Sequence, residues 1–247
     1  MTTGYREWVQ IHIVGPGRAG RSLGIALQDA GWPEPRYFGR GEDLGPAGRD
    51  ADMVVIATPD DVIAEVASAL PHTDALVVHL AGSRGLGELG DRRRVGALHP
   101  LVALPDPQTG AARLVGAWFA TAGDEAVQQI VDALAGRSFT VADADRARYH
   151  AAAVVASNHL VALLGQVEVI AAGIGVPFDA LLDLADGSLA NVRALGPAAA
   201  LTGPAARGDE ATIRRHLAAL GDDERTGYEA LAAAARRLAG RPQPLEG

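Results

Sequence analysis

The sequence predicts an α/β protein in two parts, a parallel sheet layered with helices over residues 1–143 and an all-helical domain over 144–247. Three observations carry this. Short apolar runs alternate with helical patterns through the first 143 residues, as strands joined by crossover helices require. A glycine cluster, Gly15-Pro16-Gly17-Arg18-Ala19-Gly20, separates the first apolar run from the first helical pattern. Beyond Val141 the strand signal stops and only helical periodicity continues.

The expected strands are Trp8–Val14, Arg36–Phe38, Met53–Ala57, Ala75–Leu80, Val95–Leu98, Val115–Thr121 and Ser138–Val141. Helices are expected at Ala19–Ala30, Asp61–Leu70 and Asp124–Leu134. Gly39 to Asp50 is short and rich in glycine and acid, so the strand–helix unit expected there is truncated. A long helical pattern runs from Asp143 to Ala172, charged at first and then apolar and alanine-rich. Such a helix is expected to be buried on most faces, in a core or against a partner subunit. Helices at Phe178–Leu195, Asp209–Leu220 and Asp223–Leu238 follow, with Gly196-Pro197 and Thr202-Gly203-Pro204 as punctuation and a frayed tail from Arg241 to Gly247.

Composition narrows the chemistry. With 247 residues, 48% of them apolar, the chain can bury a sizeable core. A net charge of -8 argues against general nucleic-acid binding. Cysteine is absent, which excludes disulfides, thiolate catalysis and thiolate-ligated metals. The seven histidines are scattered, none at ligand spacing beside a carboxylate, so no metal is expected. All 22 basic residues are arginine, so no lysine is present to serve as general acid or Schiff base. The N-terminus has no basic n-region or signal h-region, and Ala151–Leu164 is too short and too interrupted to span a bilayer. The expectation is a cytoplasmic protein without membrane contact.

The glycine cluster has the G-x-G-x-x-G spacing. Gly15 suits a tight turn, Gly17 lets backbone N–H groups approach a diphosphate, and Gly20 lets helix pack on strand. The following helix N-terminus directs unpaired N–H groups and its positive dipole end at the anion. With Pro16, Arg18 and Ala19 the cluster predicts a dinucleotide site in a Rossmann-like domain. About 20 residues further on, the second strand ends in Gly39-Arg40 rather than an acid. Arg40, assisted by Arg18, suits the 2′-phosphate of NADP; the alternative leaves Arg40 solvated and gives the ribose to Glu42.

Ligands in such sheets lie beyond the carboxyl ends of strands. Thr58 and Pro59 should pass beneath the nicotinamide ribose, with Asp60 as a helix cap. Ser83, after the fourth strand, caps a helix or touches substrate. His99 precedes Pro100 and is expected extended at the start of a loop. On the long helix His150, Val154, Ser157, Asn158 and Val161 share one stripe at helical spacing, while His159 faces elsewhere. His150 and His99 are candidate proton donors, Asn158 a candidate for orienting a carbonyl oxygen, and Ser157 a substrate contact. Arg207 is either a carboxylate ligand or a surface charge, and Asp209 caps the next helix.

These segments resemble a family of two-domain Rossmann-like proteins whose helical C-terminal domain has no assigned function. The resemblance spans nearly the whole chain. It rests on Val14-Gly15-Pro16-Gly17-Arg18-Ala19-Gly20, Leu98-His99-Pro100-Leu101, Tyr149-His150-Ala151-Ala152-Ala153 with Ala156-Ser157-Asn158, and Thr202-Gly203-Pro204 with Arg207-Gly208-Asp209. The wider group includes ketopantoate reductase, pyrroline-5-carboxylate reductase, β-hydroxyacid dehydrogenases and prephenate dehydrogenase. The resemblance implies a nicotinamide cofactor, a cleft between domains and a homodimer formed through the helical domain. It departs from ketopantoate reductases and β-hydroxyacid dehydrogenases in lacking their catalytic lysine. His99-Pro100 resembles a His-Pro element of prephenate dehydrogenases. The expected activity is NADPH-dependent reduction of a small carboxylated substrate, a 2-oxo acid of the ketopantoate type. An imine or prephenate-type substrate is the enzymatic alternative, and a non-catalytic NADP-binding sensor the other.

Overall fold

The computed structural model describes residues 9–240, so Trp8 and the tail from Arg241 lie outside the described residues. The chain divides into two compact units that meet between Ser157 and Asn158.

The first unit is built on seven strands: β1 (Ile11–Val14), β2 (Arg36–Phe38), β3 (Met53–Ile56), β4 (Leu76–His79), β5 (Val95–Pro100), β6 (Trp118–Gly123) and β7 (Arg137–Thr140). They form one sheet in the order β2-β1-β3-β4-β5-β6-β7. All neighbours are parallel except β5 and β6, which run antiparallel with His99 opposite Ala120. β3 and most of β4 are continuous apolar runs, and β1 is apolar but for His12, because both faces are covered. Successive residues serve opposite layers. Met53 and Val55 join Leu23, Leu27 and Leu98 in one core. Val54 and Ile56 join Phe38, Ile63 and Leu89 in the other. His12 is tucked against Phe38, accepts the Gly48 N–H at 3.0 Å, and is held below its usual pKa by burial and by Arg36.

Helices α1 (Arg18–Asp29), α2 (Ile63–Ala69), α3 (Pro107–Leu114), α4 (Gln128–Ala133) and α5 (Arg146–Val154) complete this unit. No helix lies between β2 and β3, as the glycine-rich Gly39–Asp50 segment suggests. Helix α3, absent from the sequence expectation, packs on α1 where Gly110 lies against Ser22. Its start is locally encoded: Asp106 accepts the Thr109 N–H at 2.9 Å and Pro107 fills the first turn. β6 begins and ends later than the expected Val115–Thr121, because Gly116 (φ +72°) turns the chain before Trp118.

Val155–His159 forms a π-helical turn, after which α6 (Leu160–Gly173) opens the second unit. The extra residue of a π turn rotates everything beyond it, which breaks the stripe drawn from His150 to Val161 at 3.6-residue spacing. Of the two burials expected for this helix, the one within a core is corrected, since Val155 is 58% exposed, Val161 70% and Val169 64%, which leaves burial against a partner subunit. By length and composition alone, the 31 residues Asp143–Gly173 are apolar enough to cross a membrane.

The second unit continues with α7 (Phe178–Leu195), α8 (Pro197–Ala200), α9 (Pro204–Arg207), α10 (Glu210–Ala219) and α11 (Asp222–Leu238). Asp209 caps α10 by accepting the Thr212 N–H at 3.0 Å. Arg236, nearly buried, forks onto Glu210 at 2.6 and 3.0 Å and ties α11 to α10. Gln166 on α6 donates to the Glu224 carbonyl of α11 at 2.8 Å.

Candidate active site

β1, β3, β4 and β5 end on the same edge of the sheet, and the conspicuous polar residues of the first unit gather there. The glycine loop begins at Gly15, whose N–H donates to the Phe38 carbonyl at 2.9 Å. Gly15 adopts φ +97°, and a Cβ there would stand 2.8 Å from the Ala57 carbonyl oxygen. A Cβ on Gly20 would run into the Gly15 carbonyl oxygen and approach Ile13 to 3.1 Å. Gly17 differs from both: it caps α1, and a Cβ there would meet nothing within 4 Å. Helix α1 starts with no side-chain cap and no acid in its first turn. An open approach over Gly17 to uncapped N–H groups is the cradle a diphosphate needs. Beside it, Thr58 Oγ1 is buried with no hydrogen-bond partner among the described residues. These residues fit a dinucleotide.

Pro16 and Ala19 complete the loop, with Arg21 bracing it. The Arg21 guanidinium donates to the Pro16 carbonyl at 3.1 Å and lies over the Tyr37 ring. Arg18 and Arg40 are exposed, and neither side chain forms an ion pair among the described residues. Glu42 is also exposed, closing a turn onto the Gly39 carbonyl.

Pro59 and Asp60 open a short 3-10 turn, Asp60–Val62. Asp60 makes no capping bond; its carboxylate instead accepts the Ser83 hydroxyl at 3.0 Å, which corrects the capping roles expected of both. His99 lies inside β5, not at a loop start, because the antiparallel ladder with β6 continues through Pro100. Its Nδ1 is 2.6 Å from the Tyr149 hydroxyl. The His150 ring stands edge-on to it, centroids 5.7 Å apart. Gly82 fits between the two histidines: a Cβ there would lie 2.5 Å from His150 Cδ2 and 2.9 Å from His99 Nε2.

Beneath this pair sit two groups that sequence reasoning did not assign. His79 ends β4 with no solvent contact, and its Nδ1 accepts the Ala81 N–H at 3.2 Å. Arg146, 1% exposed, bonds Asp143 at 3.3 Å and the Ala81 carbonyl at 3.4 Å. Asp143 in turn accepts the Leu86 N–H at 2.8 Å, so the 81–86 turn is gripped from both sides. Burial, reinforced by Arg146, lowers His79 to about 4. Burial and then His150 lower His99 to about 4 as well. Burial raises Tyr149 to about 12. The spacing of Asp143, Arg146, Tyr149 and His150 along one helical turn and the next was the available signal for Arg146 and Tyr149.

The structure thus brings Gly15–Gly20, Thr58, Pro59, Ser83, His99 and His150 to one sheet edge. Ser157 and Asn158 lie in the π-helical turn and are exposed, the Ser157 hydroxyl bonding the Ala153 carbonyl at 2.7 Å. Arg207 is the exposed last residue of α9, in the helical unit.

The family described as a domain of unknown function, DUF2520, matches residues 117–235. No curated protein matches the sequence. Among solved structures, a Bacteroides fragilis protein described as an NADP oxidoreductase is similar, with 23% identity and a TM-score of 0.77 over 94% of this chain and 99% of that one. A Thermotoga maritima protein is similar at 22% identity, with a TM-score of 0.73 over 93% and 98%. Pyrroline carboxylate reductase of Plasmodium falciparum, with NADP bound, is similar at 13% identity, with a TM-score of 0.64 over 96% and 100%. Residues 117–235 thus match the DUF2520 model, and the chain shares with these proteins a two-part fold, a Rossmann-like sheet domain followed by helices.

Proposed function

We propose that the protein is an NADP-dependent reductase of a small carboxylated molecule. The observation that carries this reading is the open glycine loop, with Gly17 facing empty space above the uncapped start of α1. The descriptions of the Bacteroides fragilis and Plasmodium falciparum proteins support it. When bound, the cofactor supplies a hydride to the substrate carbon.

The chain's residues do the rest. Backbone N–H groups after Gly17 would hold the diphosphate, and Arg18 and Arg40 would supply positive charge for the 2′-phosphate. The Thr58 hydroxyl, buried and unpartnered among the described residues, would help hold the bound cofactor through a hydrogen bond. His150 and His99 flank Gly82, and His150 hands over the proton that balances reduction of a carbonyl. The candidate substrates are a 2-oxo acid of the ketopantoate type and, as the alternative, an imine or prephenate-type molecule. The imine is favoured by the lack of lysine and by the pyrroline carboxylate reductase among the similar structures, because an iminium brings its own proton. Asn158 and Arg207 retain the roles of orienting group and carboxylate ligand as proposals for the same assays. We also propose a homodimer that covers the exposed apolar residues of the helical unit.

Calorimetry with NADPH and NADH, on wild type and Arg40→Ala, tests the cofactor. NADPH should bind more tightly to wild type, and Arg40→Ala should remove most of the preference. Absence of binding by either nucleotide at millimolar concentration overturns the proposal. A panel of 2-oxo acids and cyclic imines followed by NADPH absorbance then separates the substrate classes.

A further inference from the structure

The contact between His99 and Tyr149 has a chemical direction. At 2.6 Å it falls in the range of hydroxyl donors and below the 2.9–3.0 Å typical of N–H donors to oxygen. A phenol is a stronger acid than a neutral imidazole N–H, and an imidazole nitrogen accepts better than a phenol oxygen. The Tyr149 hydroxyl has no other hydrogen-bond partner among the described residues. The proton therefore sits on Tyr149, and His99 Nδ1 is the acceptor. The ring proton is left on Nε2, the atom that faces Gly82 and makes no hydrogen bond among the described residues. Nothing larger than glycine fits there, so the backbone approaches that N–H edge without covering it with a side chain.

We propose that Tyr149 is a positioning residue that locks His99 in the Nε2–H tautomer, so that a neutral imidazole presents a fixed N–H to an oxygen acceptor of the substrate, the carbonyl of an oxo acid or the carboxylate of an iminium. This rests on the reductase reading above for the identity of the acceptor. His99 then polarises the acceptor by hydrogen bonding, and proton delivery falls to His150. The titratable and charged groups around His99 are His150, Asp60, Arg146 and His79. Burial keeps the ring neutral across the physiological range, as the lock requires.

The test is ¹⁵N NMR of the histidine side chains, in wild type, Tyr149→Phe and, for assignment, His99→Gln. Wild-type His99 should show a pyridine-like Nδ1 and a pyrrole-like Nε2, unchanged between about pH 5.5 and pH 8. Tyr149→Phe should shift both resonances toward the tautomer average. A protonated Nδ1 in wild type, or a tautomer ratio unmoved by Tyr149→Phe, overturns the lock. In the reductase assay, Tyr149→Phe should lower kcat by about tenfold or more with unchanged NADPH affinity. An unchanged kcat overturns the catalytic use of the N–H. Failure of NADPH to bind would instead remove the reductase reading and leave the tautomer result standing.

Discussion

His79 is wholly buried at the end of β4, and its pKa of about 4 couples the fold to acidity. In the unfolded chain it titrates near 6.5, so between those values the unfolded state binds a proton that the folded state refuses. Stability is therefore full above about pH 6.5 and is lost as pH falls toward 4. The difference from 6.5 to about 4 corresponds to on the order of 3 kcal/mol. Urea titrations at neutral pH and at about pH 4.5 should show this loss. His79→Gln should reduce the pH slope, leaving the part of the same sign contributed by His99. An undiminished slope would show that His79 takes no part. None of this was legible at the residue level. Leu76–His79 reads as an apolar strand ending in a polar residue, and Arg146 lies 67 positions away.

At the scale of the element, the turn from β1 into α1 separates packing glycines from a binding glycine. Gly20→Ala forces a methyl into the Gly15 carbonyl and should lower Tm as well as nucleotide affinity. Gly17→Ala meets open space at an ordinary φ of -76°, so it should leave Tm unchanged and still weaken NADPH binding. Calorimetry paired with thermal melts checks both, and a Gly17→Ala protein that binds normally would mean no ligand approaches there. This turn was readable because spacing, strand and helix lie within some twenty residues. Helix α3 was equally local, since Asp106-Pro107 opens it, but an eight-residue helix leaves too short a periodic signal. The π turn could not be read at all: a stripe drawn at 3.6 residues per turn presupposes the regularity that Val155–His159 breaks.

At the scale of the molecule, the exposed apolar side chains of the helical unit call for a cover. Ile174 is 72% exposed, Leu184 67% and Leu195 60%. A second copy of the chain is the proposed cover, and sedimentation velocity should give twice the monomer mass. Leu184→Asp should shift the population toward monomer. Co-sedimentation with phospholipid vesicles, with a monomer in solution, would give the face to a bilayer and overturn the dimer. The chain by itself determined the alternation of strands and helices, the glycine loop, the shift to all-helical structure after Val141 and the lack of thiol or lysine chemistry. Each depends on composition or on neighbours within a few turns of chain. Only the tertiary structure decided that His99 lies within β5 and that it meets Tyr149, His150 and Gly82, with Arg146 and His79 beneath them. Those residues come from β5, from β4 and the turn after it, and from one helix, and the order in which strands lie side by side is set by packing both faces of the sheet, which no local pattern records.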